Sequence, residues 1–288
     1  MKQQSGYALV TDSAADLTKQ QLKKLGVISI PLNLYMKDTP AQPCELEGAA
    51  FYAELRAGRT ACVSAANLSV FRTVFGALLE QGQDIVYLSV SAALSCMHAT
   101  AQIAAAELKV QFPERKIIII DTRCTGMGQG MLVSLAAMQQ ATGVAPEALS
   151  AYVTENRLRL CHLFAVAGRR ERDPDGKLRA LRNAVYAKCG RYAVRELNGD
   201  GKLVTALRLH GKKQTLLAIV RRYEAECTDK NAPVCIAHSD ARADAELLRA
   251  MLHEHGAKHI LIGELGPVTG VCIGAGAAAL FYLGEMRA

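Results

Sequence analysis

The chain has 288 residues, of which 50% are apolar and 21% are charged, a balance that suits one large or two modest globular domains. This composition excludes a disordered, collagenous or coiled-coil protein. Lys and Arg total 34 against 27 Asp and Glu, for a net charge of +7, but only 5% of residues are aromatic and there is no Trp. Because base stacking needs aromatic side chains, we do not expect nucleic-acid binding.

Nine cysteines occur without any CxxC spacing, and the first ten residues carry no apolar segment that could direct export. An odd number of thiols without a secretory leader indicates free cysteines in a reducing compartment. We therefore predict a cytoplasmic protein.

Short apolar runs alternate with amphipathic segments along the first half of the chain. The runs predict strands at 7–11, 27–34, 84–90 and 116–121. The amphipathic segments predict helices at 16–25, 46–57, 68–81 and 97–112, and the glycines at 126, 128 and 130 precede a helix that runs to Ala141. This alternation predicts an α/β domain with flanking helices and a mostly parallel sheet.

The middle of the chain changes character at Gly168–Lys177, which is charged and rich in turn residues, and Asn198-Gly199-Asp200-Gly201 predicts a hairpin. Helices are then predicted at 213–227 and 244–254, and strands at 233–237 and 259–262. We predict an N-terminal α/β domain at 1–158 and a smaller mixed α/β domain at 159–288.

The segment Leu265–Gly284 carries no charge over a length that could span a bilayer. Pro267 and several glycines interrupt its first half. We predict a strand end, a glycine loop and a short apolar helix at 275–283, and no integral membrane association.

Polar residues follow several of the apolar runs, at Asp12-Ser13, at Ser89-Val90-Ser91 with Ser95, and at Asp121-Thr122. Ligands of open α/β sheets bind beyond the carboxyl ends of the strands, so these residues and the loop from Gly266 could form one crevice. The alternative is that both aspartates only cap helices. Serines at a helix entrance, beside free backbone N–H groups, can hold a carboxylate or phosphate without a cation.

The motifs that would indicate a dinucleotide site, a metal site or a serine hydrolase are each incomplete in this chain. The glycines of 126–130 lack the third-glycine spacing of a dinucleotide loop, and Gly256 interrupts the histidines at 253, 255 and 259 that would otherwise suggest a metal. No GxSxG elbow occurs. Cys96, near a predicted helix N-terminus, could have a lowered thiol pKa, although packing is the commoner role. We predict no metal and no cofactor.

A set of short motifs occurs in order along nearly the whole chain. It comprises Thr11-Asp12-Ser13-Ala14-Ala15-Asp16-Leu17, Pro31-Leu32, Phe51-Tyr52, Val63-Ser64-Ala65-Ala66-Asn67, Ser91-Ala92-Ala93-Leu94-Ser95-Cys96-Met97, Asp121 through Gly130, and Gly266-Pro267-Val268 with Gly274-Ala275-Gly276. In order and spacing the set resembles the DegV family of bacterial fatty-acid-binding proteins. The first motif is similar to the family's TDSxxDL opening, and the segments from Val63, Ser91, Asp121 and Gly266 stand at its TSQPS, SSxLSGT, DSxxxxxGxG and GPVIGTHTGPG.

The resemblance implies a two-domain protein that holds a long-chain fatty acid noncovalently, with the tail in the interior and the carboxylate near the domain crevice. It implies no catalysis, and its best understood members present the acyl chain to a fatty acid kinase. The family's head-group Thr and Ser fall on Val63 and Ser95. Ser64 and Cys96 are their neighbours, and Cys272 stands in place of a family His.

Other departures lie in the second half. Arg169 and Arg172 replace apolar positions of the family's DLxxLxxGGR helix, Lys177 replaces its last Arg, and the Arg that the family carries after the hairpin falls near His210. Because an unpaired buried charge costs several kcal/mol, either that helix lies further out or the pocket accepts a different ligand.

Three hypotheses follow. The first is a noncovalent carrier of a long-chain fatty acid, with Ser95 and nearby backbone N–H groups on the carboxylate. The second is the same fold with a remodelled head-group site that binds a different anion, phosphorylated or not, through Lys177. The third is a thiol-dependent enzyme that uses Cys96 or Cys272.

Overall fold

The computed structural model describes residues 6–40, 42–167 and 190–288. The segment Gly168–Lys177, with the predictions for Arg169, Arg172 and Lys177, lies outside the described residues. Contacts group the chain into two compact units. The first contains the described residues up to Asn33 together with Ser64–Leu158, and the second contains Leu34–Val63 and Arg159–Ala288. The domain boundary after residue 158 stays a prediction.

The strands of the described residues are, in chain order, β1 (Tyr7–Asp12), β2 (Val27–Ile30), β3 (Asn33–Met36), β4 (Ala61–Ser64), β5 (Asp84–Ser89), β6 (Ile117–Asp121), β7 (Leu160–Ala167), β8 (Arg191–Leu197), β9 (Leu203–His210), β10 (Val234–His238), β11 (Ile260–Glu264) and β12 (Ala278–Leu283).

The helices of the described residues are α1 (Lys19–Leu25), α2 (Gly48–Arg56), α3 (Leu68–Glu80), α4 (Met97–Gln111), α5 (Gly126–Ala141), α6 (Pro146–Asn156), α7 (Lys212–Glu226), α8 (Arg242–Glu254) and α9 (Pro267–Ile273). Single 3₁₀ turns occur at Ser13–Ala15 and Arg157–Arg159.

The first unit is built on a four-stranded sheet in the order β2-β1-β5-β6, with every pair parallel. β1 and β5 are buried along most of their length, as expected for strands covered on both faces. Phe71 and Phe75 of α3 pack edge-on against Tyr87 of β5, with ring centroids 5.6 and 5.9 Å away. The mostly parallel sheet predicted for this half is confirmed.

The second unit contains a mixed six-stranded sheet in the order β11-β10-β12-β7-β8-β9. β10 and β11 are parallel, and the remaining neighbours are antiparallel. α7 and α8 cover one face through an apolar core that includes Leu216, Tyr223 and Leu248. α2 belongs here through long-range contacts, since the Tyr52 hydroxyl donates to the carbonyl of Leu265 at 2.7 Å. The predicted α/β fold with a mixed second sheet is confirmed.

Two local predictions were wrong. In the apolar segment 275–283, predicted as a helix, Ala278–Leu283 form the strand β12 inside the six-stranded sheet. A short apolar run that is buried along nearly all of its length has no periodicity that separates a strand from a helix. The preceding Pro267–Ile273 is the helix, with Pro in its first turn. The single strand predicted at 27–34 is divided at Pro31 into β2 and β3, which belong to different sheets; proline cannot donate to a ladder.

Candidate functional site

Polar side chains meet at the carboxyl edge of the four-stranded sheet. The Asp12 carboxylate is fully buried at the end of β1. It accepts hydrogen bonds from the N–H groups of Ala14 (3.1 Å) and Val90 (2.7 Å), from the Tyr87 hydroxyl (2.9 Å) and from the Gln129 amide (3.1 Å). Burial raises the pKa of Asp12, and these hydrogen bonds oppose the rise. Asp12 therefore caps the first 3₁₀ turn, as the alternative held, but also joins β1 to the loop after β5.

Asp121, at the end of β6, plays a similar part on the other side of β5. Its Oδ1 accepts from the N–H groups of Ala92 (3.1 Å) and Arg123 (2.9 Å). It does not cap α5, whose N-cap is Thr125. The sequence prediction that Asp12, the serines after β5 and Asp121 converge is thus confirmed for this edge of the first unit, whereas Gly266 follows β11 of the other sheet.

The loop from residue 90 to residue 95 uses its backbone N–H groups internally. Ser91 donates to the carbonyl of Cys124 at 2.9 Å, Ala93 donates to the Ser91 hydroxyl, and both Leu94 and Ser95 donate to the Ser91 carbonyl. Because each N–H group of residues 90–95 already has an acceptor within the protein, this loop has none free to bind a ligand.

The first turn of α4 differs from that loop. Among the described residues, the N–H groups of the N-cap Cys96 and of His98 and Ala99 in the first turn have no hydrogen-bond acceptor. Ser95 is half-buried just before the helix, and its hydroxyl oxygen accepts from the Met97 N–H at 3.3 Å. Its hydroxyl proton has no acceptor in the described part of the chain. Free N–H groups at a helix N-terminus beside a serine hydroxyl make an arrangement suited to a carboxylate or phosphate.

The segment predicted to carry the second head-group residue adjoins this helix. The Ala66 N–H donates to the Met97 thioether at 3.2 Å, which brings 64–67 against the start of α4 within the first unit. Ser64 is exposed at the end of β4, and Val63 is half-buried. Consecutive strand residues point to opposite faces, so Ser64 does not replace the hydroxyl that Val63 lacks.

In the second unit, α9 carries the exposed Cys272. A Cβ on Gly270 would lie 2.5 Å from the Tyr52 hydroxyl oxygen, so α2 and α9 touch at a position where only glycine fits. The Thr269 hydroxyl is buried and has no hydrogen-bond partner among the described residues.

Of the predicted site residues, the structure therefore brings Ser95, Cys96 and the neighbourhood of Ser64 together in the first unit. Cys96 is the exposed N-cap of α4. Val63 and Cys272 belong to the second unit, and Lys177 lies outside the described residues. The ligand-binding roles of all six remain predictions.

Sequence reasoning missed His98. It lies in the first turn of α4, and its Nδ1 is 3.2 Å from the Ser89 hydroxyl oxygen. Because Ser89 donates its proton to the Ile120 carbonyl, Nδ1 is the donor to Ser89. An apolar run followed by a serine loop gives no signal for a histidine one turn later, so only the structure reveals this pair.

The described part of the chain contains no group of three or more His, Cys, Asp or Glu side chains that could hold a metal ion. His255, one of the clustered histidines, follows α8 and lies 3.2 Å from Glu224. None of the helices described there is long and apolar enough to cross a membrane.

A four-stranded parallel sheet, a separate six-stranded mixed sheet and a small sheet of β3 and β4 define an α/β protein whose polar groups gather at the carboxyl edge of the parallel sheet. A family model described as "Uncharacterised protein, DegV family" matches residues 7–285. The chain belongs to the DegV family.

Relatives and solved structures agree with this assignment. A DegV domain-containing protein of Clostridium perfringens is 32% identical over 286 residues, which is 98% of each chain. A DegV family protein of Thermus thermophilus, described as binding fatty acid, has a TM-score of 0.80 and 24% identity, covering 97% of this chain and 99% of its own. A DegV family protein of Ruminococcus gnavus, described with vaccenic acid, also has a TM-score of 0.80, at 15% identity and 96% and 99% coverage.

Proposed function

We propose that this protein binds a long-chain fatty acid noncovalently and carries it, without a catalytic step of its own. The observation that supports this most directly is the N-terminus of α4, where three backbone N–H groups and the Ser95 hydroxyl proton have no acceptor among the described residues. The carboxylate of the acid would accept from these groups. Family membership supports the acyl part of the proposal, since related proteins are described with fatty acids.

The energetics favour a long acyl chain. Burial of about sixteen methylene groups contributes roughly 0.8 kcal/mol each. The cost of association is of order 10 kcal/mol, so the chain supplies most of the affinity and the head-group contacts supply orientation. A short-chain acid would therefore bind far more weakly than palmitate.

The carrier needs a donor or an acceptor for its cargo. We infer a fatty acid kinase as that partner, because the DegV motifs of the chain resemble those of proteins that present an acyl chain to such a kinase. We infer the cytoplasm as the location, because the eight described cysteines are all free thiols. Phosphorylation of the carboxylate of the carried acid would then be the reaction of that second protein.

The test is titration of the delipidated protein with palmitate. Ser95→Ala removes one hydrogen-bond donor to the carboxylate and should weaken binding by about tenfold. Ser134→Ala is the matched control, because the Ser134 hydroxyl donates to the carbonyl of Gly130 within α5. An unchanged affinity of Ser95→Ala would contradict the assigned head-group site.

A different anion is the second candidate. Val63 and Cys272 stand where the family pattern has Thr and His, so two of the pattern's head-group positions have lost their hydroxyl or imidazole group. Binding of an alkyl phosphate, with none of palmitate, would favour this candidate over fatty acid carriage.

A further inference from the structure

We propose that Asp121 is a positioning residue of the anion site: it holds the loop before α4 so that the Ser95 hydroxyl is placed to receive the ligand. This inference deepens the proposed function and rests on it. Asp121 acts through backbone groups of two loops.

One carboxylate oxygen joins these two loops. Oδ1 of Asp121 accepts from Ala92 in the loop after β5 and from Arg123 in the turn after β6. Arg123 has a φ of 52°, a left-handed conformation that a non-glycine residue rarely adopts. The hydrogen bond to its N–H group helps to keep the turn in this conformation.

The effect reaches Ser95 by a short path. Ser91 is fixed by its N–H bond to the Cys124 carbonyl, and the Ser91 carbonyl in turn accepts from Leu94 and Ser95. Ala92 lies between these anchors, so release of its N–H group would free the loop that determines where the Ser95 hydroxyl points. A misplaced hydroxyl costs affinity even when the protein remains folded.

The charge of Asp121 argues against direct contact with the ligand, since a carboxylate repels an anionic head group. Asp121 therefore contributes to binding by holding the two loops in place. Asparagine has the same shape and can present the same oxygen to both N–H groups, but it carries no charge. The two variants Asp121→Ala and Asp121→Asn therefore separate the oxygen from the charge.

The experiment measures palmitate affinity of the delipidated protein and of the variants. Asp121→Ala should weaken binding by about tenfold, and Asp121→Asn should bind as tightly as the wild type or more tightly. In the Ser95→Ala background, Asp121→Ala should have little further effect, because both changes disturb one contact. Asp84→Ala is the matched control: its Oδ1 accepts from the Lys116 N–H at 3.0 Å at the opposite end of β5 and β6.

A ligand-free measurement accompanies the titration. Amide hydrogen exchange at Ala92 and Arg123 should be faster in Asp121→Ala and unchanged in Asp121→Asn. Equal affinities of wild type and Asp121→Ala, additive effects with Ser95→Ala, or loss of binding in Asp121→Asn would each overturn the positioning role while leaving fatty acid binding intact. A wild-type protein that does not bind palmitate would instead overturn the proposed function, and this inference with it.

Discussion

Two glycines inside helices of the first unit predict opposite effects of the same substitution. Gly76 lies in α3, and a Cβ there would have its nearest neighbour, a Leu108 methyl group, at 3.9 Å, an ordinary contact. Gly130 lies in α5, and a Cβ there would lie 2.4 Å from the carbonyl oxygen of Ala15 and 3.2 Å from Leu17. The first site accepts a methyl group, whereas the second would need a backbone shift.

The magnitudes follow from these distances. Gly76→Ala should raise the free energy of unfolding by about 0.5–1 kcal/mol, the gain in helix propensity. Gly130→Ala has the same gain but forces a backbone carbonyl away, at an overpacking cost of about 1–3 kcal/mol, so it should be destabilising or at best neutral.

Urea unfolding followed by circular dichroism measures both variants, and the absence of Trp rules out the usual fluorescence probe. Because both glycines belong to one unit, the same transition reports on each. If Gly130→Ala were stabilised as much as Gly76→Ala, the close approach of α5 to the Ser13–Ala15 turn would be refuted.

Three further changes test the buried polar groups. Thr269→Val replaces a hydroxyl that lacks a partner in the described part of the chain with a methyl group, and thermal melting should show stability equal to the wild type or up to about 1 kcal/mol higher. In Asp12→Asn the new NH2 group faces a backbone N–H in both orientations of the amide, that of Ala14 or that of Val90. Chemical denaturation should show that the free energy of unfolding falls by about 1–3 kcal/mol, and wild-type stability would argue against the four-donor network. Burial lowers the pKa of His238 from its ordinary value of 6.5, so the unfolded state takes up the proton first and the free energy of unfolding should fall as pH drops below 6.5. His238→Gln should flatten that slope; a slope identical to that of the wild type would exclude His238 as its source.

The sequence predicted the first sheet well because its signals are local. Runs such as Ile117–Asp121 are apolar and short, and the helices after them have clear starts, so both the elements and the meeting of Asp12 with the loop after β5 could be anticipated. The central strand β12 could not be, since its burial on both faces leaves no alternation to read.

Contacts between residues far apart in the chain could not be predicted either, because sequence patterns report only on local structure. The segment 34–63 belongs to the second unit through pairs such as Tyr52 with Leu265 and Arg56 with Asp240, which are 213 and 184 residues apart. No periodicity in α2 signals that partner. The same holds for the site: Ser95 was identified from a motif, but the shared use of one Asp121 oxygen by two loops depends on the register of β5 and β6.

Fatty acid carriage is tested most directly by denaturing extraction of the purified protein and mass spectrometry of the released small molecules, alongside native mass spectrometry of the same sample. We expect a long-chain fatty acid in near-stoichiometric amount, and its loss from the native spectrum after delipidation with recovery on addition of palmitate. A protein that is purified empty and takes up no palmitate would contradict the account.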